Sequence, residues 1–188
     1  MKYISVAAIL LFLKCLVGCV GEERSDVTYT ADSLEVVDSP EVKALIQPTR
    51  DSGRIDTKNQ DPAAIVAFAK TLIGVPYKYG STDPGEGFDC SGFITYVFNH
   101  FDIQVPRSSI DFTHVGVPVE RSFSRPGDLI LFTGTDSLET HVGHMGIVTE
   151  NTDTLRFIHS TSGKKYGVTI TALNEYYLRR FVKVIRLF

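Results

Sequence analysis

Three side chains in this chain of 188 residues have the types and spacing that acyl transfer requires: Cys90, His144 and His159. Cys90 lies in Phe88-Asp89-Cys90-Ser91-Gly92-Phe93, where a loop rich in Gly, Pro and Asp gives way to a helical pattern. A thiol of ordinary pKa, about 8.5, is mostly protonated at neutral pH, and the amides and dipole at a helix N-terminus favour its anion. The position therefore predicts a thiolate nucleophile. Such a nucleophile needs a base for its proton, and the base needs a third polar group to fix its tautomer and orientation. His144 opens the apolar run His144-Met145-Gly146-Ile147-Val148, and His159 lies in the next one, Phe157-Ile158-His159-Ser160. If these runs are neighbouring antiparallel strands, both imidazoles come within cross-strand reach when they share a face. His141-Val142-Gly143 imitates the base motif three residues early, but only His144 is followed by an uninterrupted strand pattern. Taken alone, a single free cysteine is equally a small buried hydrophobe.

The elements that must hold these groups are legible as helices first and strands after. Asp61-Pro62 reads as a cap and first position of a helix whose apolar face is Ile65, Phe68, Ala69, Leu72 and Ile73, closed by Gly74. A second helix runs from Asp89 towards Asp102, with Phe93, Tyr96, Val97 and Phe101 at helical spacing, Asp89 as N-cap and Cys90 as first residue. Gly92 leaves room near the helix start for a substrate backbone or for tight packing. Five strands follow, at Asp128 to Phe132, Met145 to Thr149, Arg156 to Ser160, Val168 to Thr171 and Phe181 to Leu187. Turn signals at Asn151-Thr152-Asp153 and Ser162-Gly163-Lys164-Lys165 make three of them a meander. The expected class is α+β, with N-terminal helices packed on a mostly antiparallel sheet of about five strands.

The N-terminus has another character. Lys2, the apolar run Ile4 to Leu13 and a small-residue site describe an export signal over residues 1–18, too short to cross a bilayer comfortably. Residues 19–60 are rich in Asp, Glu, Ser and Thr with scattered apolar residues, and read as a tether of low hydrophobicity. The catalytic domain is expected over residues 61–188. A formal charge of -3 without a basic stripe argues against nucleic acid as a partner. The five histidines show no familiar zinc-ligand spacing. A monomer is expected.

Two resemblances sharpen the picture. Leu16-Val17-Gly18-Cys19 resembles the lipobox of bacterial lipoproteins, which implies that Cys15 is discarded and that Cys19 is acylated and anchors the chain to a membrane. Val20 and Gly21, with no aspartate after Cys19, incline the expected location to the outer membrane. With Cys19 acylated, Cys90 is the one thiol left in an exported chain, where oxidising conditions normally pair or eliminate such groups. The last 125 or so residues resemble the NlpC-type cell-wall cysteine peptidases, a bacterial branch of the papain-like hydrolases. The matching segments come in the family's order: Val75-Pro76-Tyr77-Lys78-Tyr79-Gly80, Phe88-Asp89-Cys90-Ser91-Gly92-Phe93, Val105-Pro106-Arg107-Ser108-Ser109, Arg125-Pro126-Gly127-Asp128-Leu129-Ile130-Leu131-Phe132, and the two histidine strands. The resemblance implies a papain-like fold, no cofactor, Cys90 as nucleophile, His144 as general base and acid, and His159 as the residue that orients His144. It further implies that Tyr77 helps to stabilise the oxyanion and that Asp89 and Ser91 line the subsite for the substrate's N-terminal end, although an N-cap aspartate and an early helical serine also have a structural explanation. The substrate so implied is a peptidoglycan stem peptide, cleaved between γ-D-glutamyl and a diamino acid. An amidase or acyltransferase using the same Cys-His pair, and a non-hydrolytic wall-binding lipoprotein, stand as alternatives. Ser81 and Tyr79 depart from the family's usual Gly and Trp and bear on the rim of the cleft.

Overall fold

The computed structural model describes residues 53–136, 138 and 140–188. The signal segment, Cys19 and most of the tether lie outside the described residues. Residues 53–60, which composition assigns to the tether, meet the domain: Gly53 bridges to Val115 and Ile55 packs against the main core.

Helix α1, Pro62–Thr71, begins where Asp61 caps the backbone of Ala63, and Gly74 turns the chain after it at φ 93°. A short hairpin, β1 (Thr82–Asp83) with β2 (Gly87–Phe88), then delivers the chain to helix α2, Cys90–Asn99. Asp89 is the cap of α2, in extended conformation, as its side-chain chemistry favours. The buried face of α2 carries Phe93, Ile94, Val97 and Phe98.

The remaining strands are β3 (Val117–Val119), β4 (Leu129–Thr133), β5 (Val142–Asn151), β6 (Leu155–Thr161), β7 (Gly167–Ala172) and β8 (Phe181–Arg186), with a one-turn helix α3 (Glu175–Leu178) before the last. They form a six-stranded sheet of order β3-β8-β4-β5-β6-β7 in which each adjacent pair is antiparallel. The sixth strand, β3, was not expected from sequence. It is three residues long, contains Pro118, and occupies an edge, the place where a residue lacking an N–H is tolerated.

Alternation along the strands sends side chains to both faces. Leu129, Leu131, Met145, Ile147, Ile158 and Ile185 join Ile65, Phe93, Ile94 and Phe98 from the helices in the main core. The intervening residues Ile130, Phe132, Val148, Phe157 and Val184 form a second cluster under Tyr177 of α3. Each such side chain, when fully buried, contributes roughly 1.5–3 kcal/mol relative to exposure. His144 and His159 have the parity of the second face, and Cys90 sits at the start of a helix on the first. The sulfur reaches this sheet at the start of β5, where it contacts the Gly143 carbonyl.

Candidate active site

Cys90 lies at the mouth of a groove of about 1230 Å³ whose walls include Tyr77, Asp89, Ser91, Gly143 and His144. The thiol is half-buried and unpaired. Its hydrogen bond is to the carbonyl of Gly143, at 3.8 Å, so the sulfur faces the first residues of β5. The imidazole chain comes from the sheet. His144 Nε2 is 2.8 Å from His159 Nδ1, and His159 Nε2 is 2.9 Å from Thr171 Oγ1. Three adjacent strands supply one residue each. Since Nε2 of His144 is taken, Nδ1 is the nitrogen available to a thiol proton. The tautomers that leave Nδ1 unprotonated are self-consistent: His144 Nε2–H donates to His159, and His159 Nε2–H donates to Thr171.

The close approach of the two rings has a local cause. A Cβ on Gly146 would lie 2.7 Å from the Ile158 carbonyl, 2.8 Å from the Phe157 ring and 3.1 Å from Cβ of His159. A glycine is what lets β6 bring His159 in. The histidine at 159 is fully buried, with Tyr177 edge-on at 5.5 Å, while Tyr177 also stacks on His144 at 6.1 Å.

Burial, then the neighbouring His159 and the Arg180 charge hold the His144 pKa well below the ordinary imidazole value. His159 is brought down to about 3, by burial and then by Arg180. The Arg180 guanidinium is itself fixed by the carbonyls of Thr133 and Gly134 and by the Tyr176 hydroxyl. The thiol runs against the sequence expectation. Burial and then the Asp89 carboxylate push Cys90 up to about 11, while the backbone amides of Ser91, Cys90 and Met145 pull the other way without prevailing. The helix N-terminus favours the anion, but desolvation outweighs it, so the shifts at Cys90 and His144 both favour the neutral form.

Asp89 does more than cap. It accepts from the backbone N–H of Gly92 at 2.5 Å and of Gly80 at 2.8 Å, and Arg107 grips it with two nitrogens at 2.7 and 3.1 Å. Arg107 also donates to Ser91 Oγ at 3.0 Å. The pair offsets the charge of a carboxylate next to the sulfur. Gly92 is explained by packing, since a Cβ there would fall 2.1 Å from the Ser81 carbonyl. Tyr77 is half-buried on the groove wall, its ring edge-on to Tyr166 at 5.8 Å, and burial raises its pKa. His141 is exposed in the loop before β5, and His100 stacks on Phe68 away from the groove. The structure thus gathers Tyr77, Asp89, Cys90, Ser91 and His144 on the groove with His159 directly behind. Sequence reasoning gave no role to Thr171, Tyr177 or Arg180 and only quoted Arg107 within a motif. Thr171 had a signal, since it has the same parity as Thr169, which pairs with His159; Arg180 had none.

A thiol at a helix start and an imidazole on an antiparallel sheet, lining one groove, are the arrangement of the papain-like α+β class. The chain belongs to the NlpC/P60 family, whose model matches residues 74–186. It is 38% identical over 133 residues to the γ-DL-glutamyl hydrolase of Bacillus subtilis (strain 168), covering 68% of this chain and 30% of that protein. It is 36% identical over 124 residues to the murein DD-endopeptidase MepH of Escherichia coli (strain K12), covering 63% of this chain and 43% of that one. Among solved structures, an NlpC/P60 family protein from Bacillus cereus ATCC 10987 superposes with a TM-score of 0.61 at 28% identity, over 70% of this chain and 42% of that one. The chain therefore spans less than half the length of each of these proteins.

Proposed function

We propose that this protein is a cell-wall cysteine endopeptidase that cuts peptidoglycan stem peptides between γ-D-glutamyl and a diamino acid. The observation that carries the reading is the chain from His144 to His159 to Thr171, at 2.8 and 2.9 Å, set on the same groove as an unpaired Cys90. The names of the relatives, a γ-DL-glutamyl hydrolase and a murein endopeptidase, support both the bond type and the polymer.

With the thiol raised and the imidazole lowered, attack and proton transfer go together in this mechanism. As Cys90 Sγ adds to the γ-carbonyl carbon, its proton passes to His144 Nδ1, and the imidazolium is stabilised through Nε2–H by His159. The backbone N–H of Cys90 and the Tyr77 hydroxyl are the donors for the developing oxyanion. Collapse of the adduct breaks the C–N bond, and His144 returns its proton to the leaving amine. Water, deprotonated by His144, then opens the thioester and restores the thiol. Asp89, Ser91 and Arg107 form the wall that receives the N-terminal end of the substrate.

The signal pattern over residues 1–18 and the Leu16-Val17-Gly18-Cys19 sequence support export and acylation at Cys19, and the residues after it support the outer membrane as the site of anchoring. Mass spectrometry of muropeptides digested by the wild type and by Cys90→Ala tests reaction, bond and nucleophile together. A γ-linked dipeptide should be released by the wild type and absent with the variant. Undigested muropeptides with the wild type at every pH from mildly acidic to alkaline would overturn the reading. Metabolic labelling with palmitate, lost in Cys19→Ala, tests the anchor.

A further inference from the structure

The groove is lopsided in charge although the chain as a whole carries -3. Its lining holds two described carboxylates, Asp89 and Asp136, against Arg107, Lys164, Lys165 and Arg180. Asp89 and Arg107 are paired with each other. Arg180 is bound by carbonyls and a phenol rather than by an acid. Among the described residues, no carboxylate pairs with Lys164 or Lys165. Among the described lining residues, with Asp89 and Arg107 paired, Lys164, Lys165 and Arg180 outnumber the one remaining carboxylate, Asp136.

The two lysines do not sit on a loose loop tip. Tyr166 N–H donates to the Gly163 carbonyl at 2.8 Å, closing a four-residue turn with Lys164 and Lys165 at its two corners. Tyr166 follows at φ 42°, and Gly163 N–H is tied to Thr161 Oγ1 at 3.1 Å. The turn is anchored to the active-site wall by the Tyr77 N–H donating to the Tyr166 carbonyl at 3.2 Å and by the contact of their rings. Beyond it, β7 hydrogen-bonds across to Val75 at 2.8 Å. The fold therefore holds the backbone that carries two exposed lysines against Tyr77, which lines the same groove as Cys90.

We propose that the Lys164-Lys165 turn, on the groove that Arg180 also lines, reads a free carboxylate of the substrate. On the endopeptidase reading, on which this inference rests, a stem peptide has two such groups near the scissile bond: the α-carboxylate of the D-glutamyl residue and a carboxylate of the diamino acid. Either meets the same chemistry, and converting it to a carboxamide removes the charge while keeping the shape. Exposed ammonium groups give modest, salt-sensitive attraction, so the effect belongs in KM rather than in kcat.

Three synthetic tripeptides, L-Ala-γ-D-Glu-diamino acid with free carboxylates and its two singly amidated forms, separate the sources. For the wild type, amidation of the carboxylate that is read should raise KM about fivefold with kcat little changed, and 0.5 M salt should shrink the difference. The double variant Lys164→Gln/Lys165→Gln should lose that discrimination, and Lys164→Arg/Lys165→Arg should keep it. The same three peptides titrated against Cys90→Ala give Kd ratios without turnover, so the inference is read even where no bond is cut. Failure of cleavage with an intact, lysine-dependent Kd ratio would sink the endopeptidase reading alone. Equal binding of all three peptides, or discrimination unchanged in the glutamine variant, would overturn the carboxylate site.

Discussion

Burial favours the uncharged forms of both Cys90 and His144, and on the proposed mechanism this separates the site from one that stores a ready-made ion pair. With the thiol pushed up to about 11, the thiolate fraction at pH 7 is on the order of 10⁻⁴. Alkylation of Cys90 by iodoacetamide should therefore accelerate roughly tenfold per pH unit from pH 7 to 10. A rate that levels off below pH 8 would mean that an ion pair already exists at rest. Turnover should follow a different curve, because it depends on neutral His144 and not on free thiolate. Its acid limb is expected below the ordinary imidazole range, as the lowered pKa of His144 dictates. His159 acts on His144 alone. His159→Ala should lower kcat about a hundredfold, while His159→Asn, whose amide oxygen can still accept from His144 Nε2, should keep about a tenth of the activity; equal losses in both would remove the orienting role. The identities of Cys90, His144 and His159 as candidates were legible from residue type and strand spacing. The charge state was not, because it is decided by desolvation, which only the packed fold sets, and by Arg180, which comes from a distant part of the chain.

Elements position these residues through close backbone approach more than through special contacts. Strands β5 and β6 must be near enough for a diagonal pair of imidazoles to share one proton, and Gly146 is the residue that permits it. Gly146→Ala would drive a methyl into the Ile158 carbonyl and the Phe157 ring, with a predicted loss of about 1–3 kcal/mol in stability. Chemical denaturation measures that loss, and the fall in kcat of the folded variant should exceed tenfold as the His144–His159 distance lengthens. A variant with native stability and native kcat would show that the strands tolerate the extra volume. The order of helices and strands, the start of α2 at Cys90 and the alternation that gives both histidines one parity could all be read from the sequence. Strand β3 could not, since three residues with a central proline carry no alternating signal and pair only because β8 offers them an edge. Gly92 left substrate space and tight packing both open, and it is the second, where the Ser81 carbonyl closes on the helix. Neither outcome is written in local pattern; both depend on what the chain meets on the way back.

At the scale of the catalytic domain, the sheet separates a main core under the helices from a smaller aromatic cluster, and His144 and His159 lie against the second. Phe157 and Tyr177 pack on the fully buried His159, and Phe132 packs on both of them and on His144. That placement makes stability depend on pH. An unfolded histidine binds a proton below about 6.5, whereas His159 in the fold resists until about 3. The unfolded state therefore takes up more protons as the pH falls through this window, and the stability fully present above pH 6.5 is progressively lost down to about 3. At pH 5 the contribution of His159 to this loss is about 2 kcal/mol, and His144, shifted in the same direction, adds to it. Urea unfolding at pH 7 and pH 5 should show the wild type losing at least this much. His159→Asn has no imidazole to protonate there, so its difference between the two pH values should be smaller even where its stability at pH 7 is lower. An identical pH difference in the two proteins would locate the acid sensitivity elsewhere, in the carboxylates. The expected result ties the acid limit of the fold to the burial that keeps the base unprotonated for catalysis.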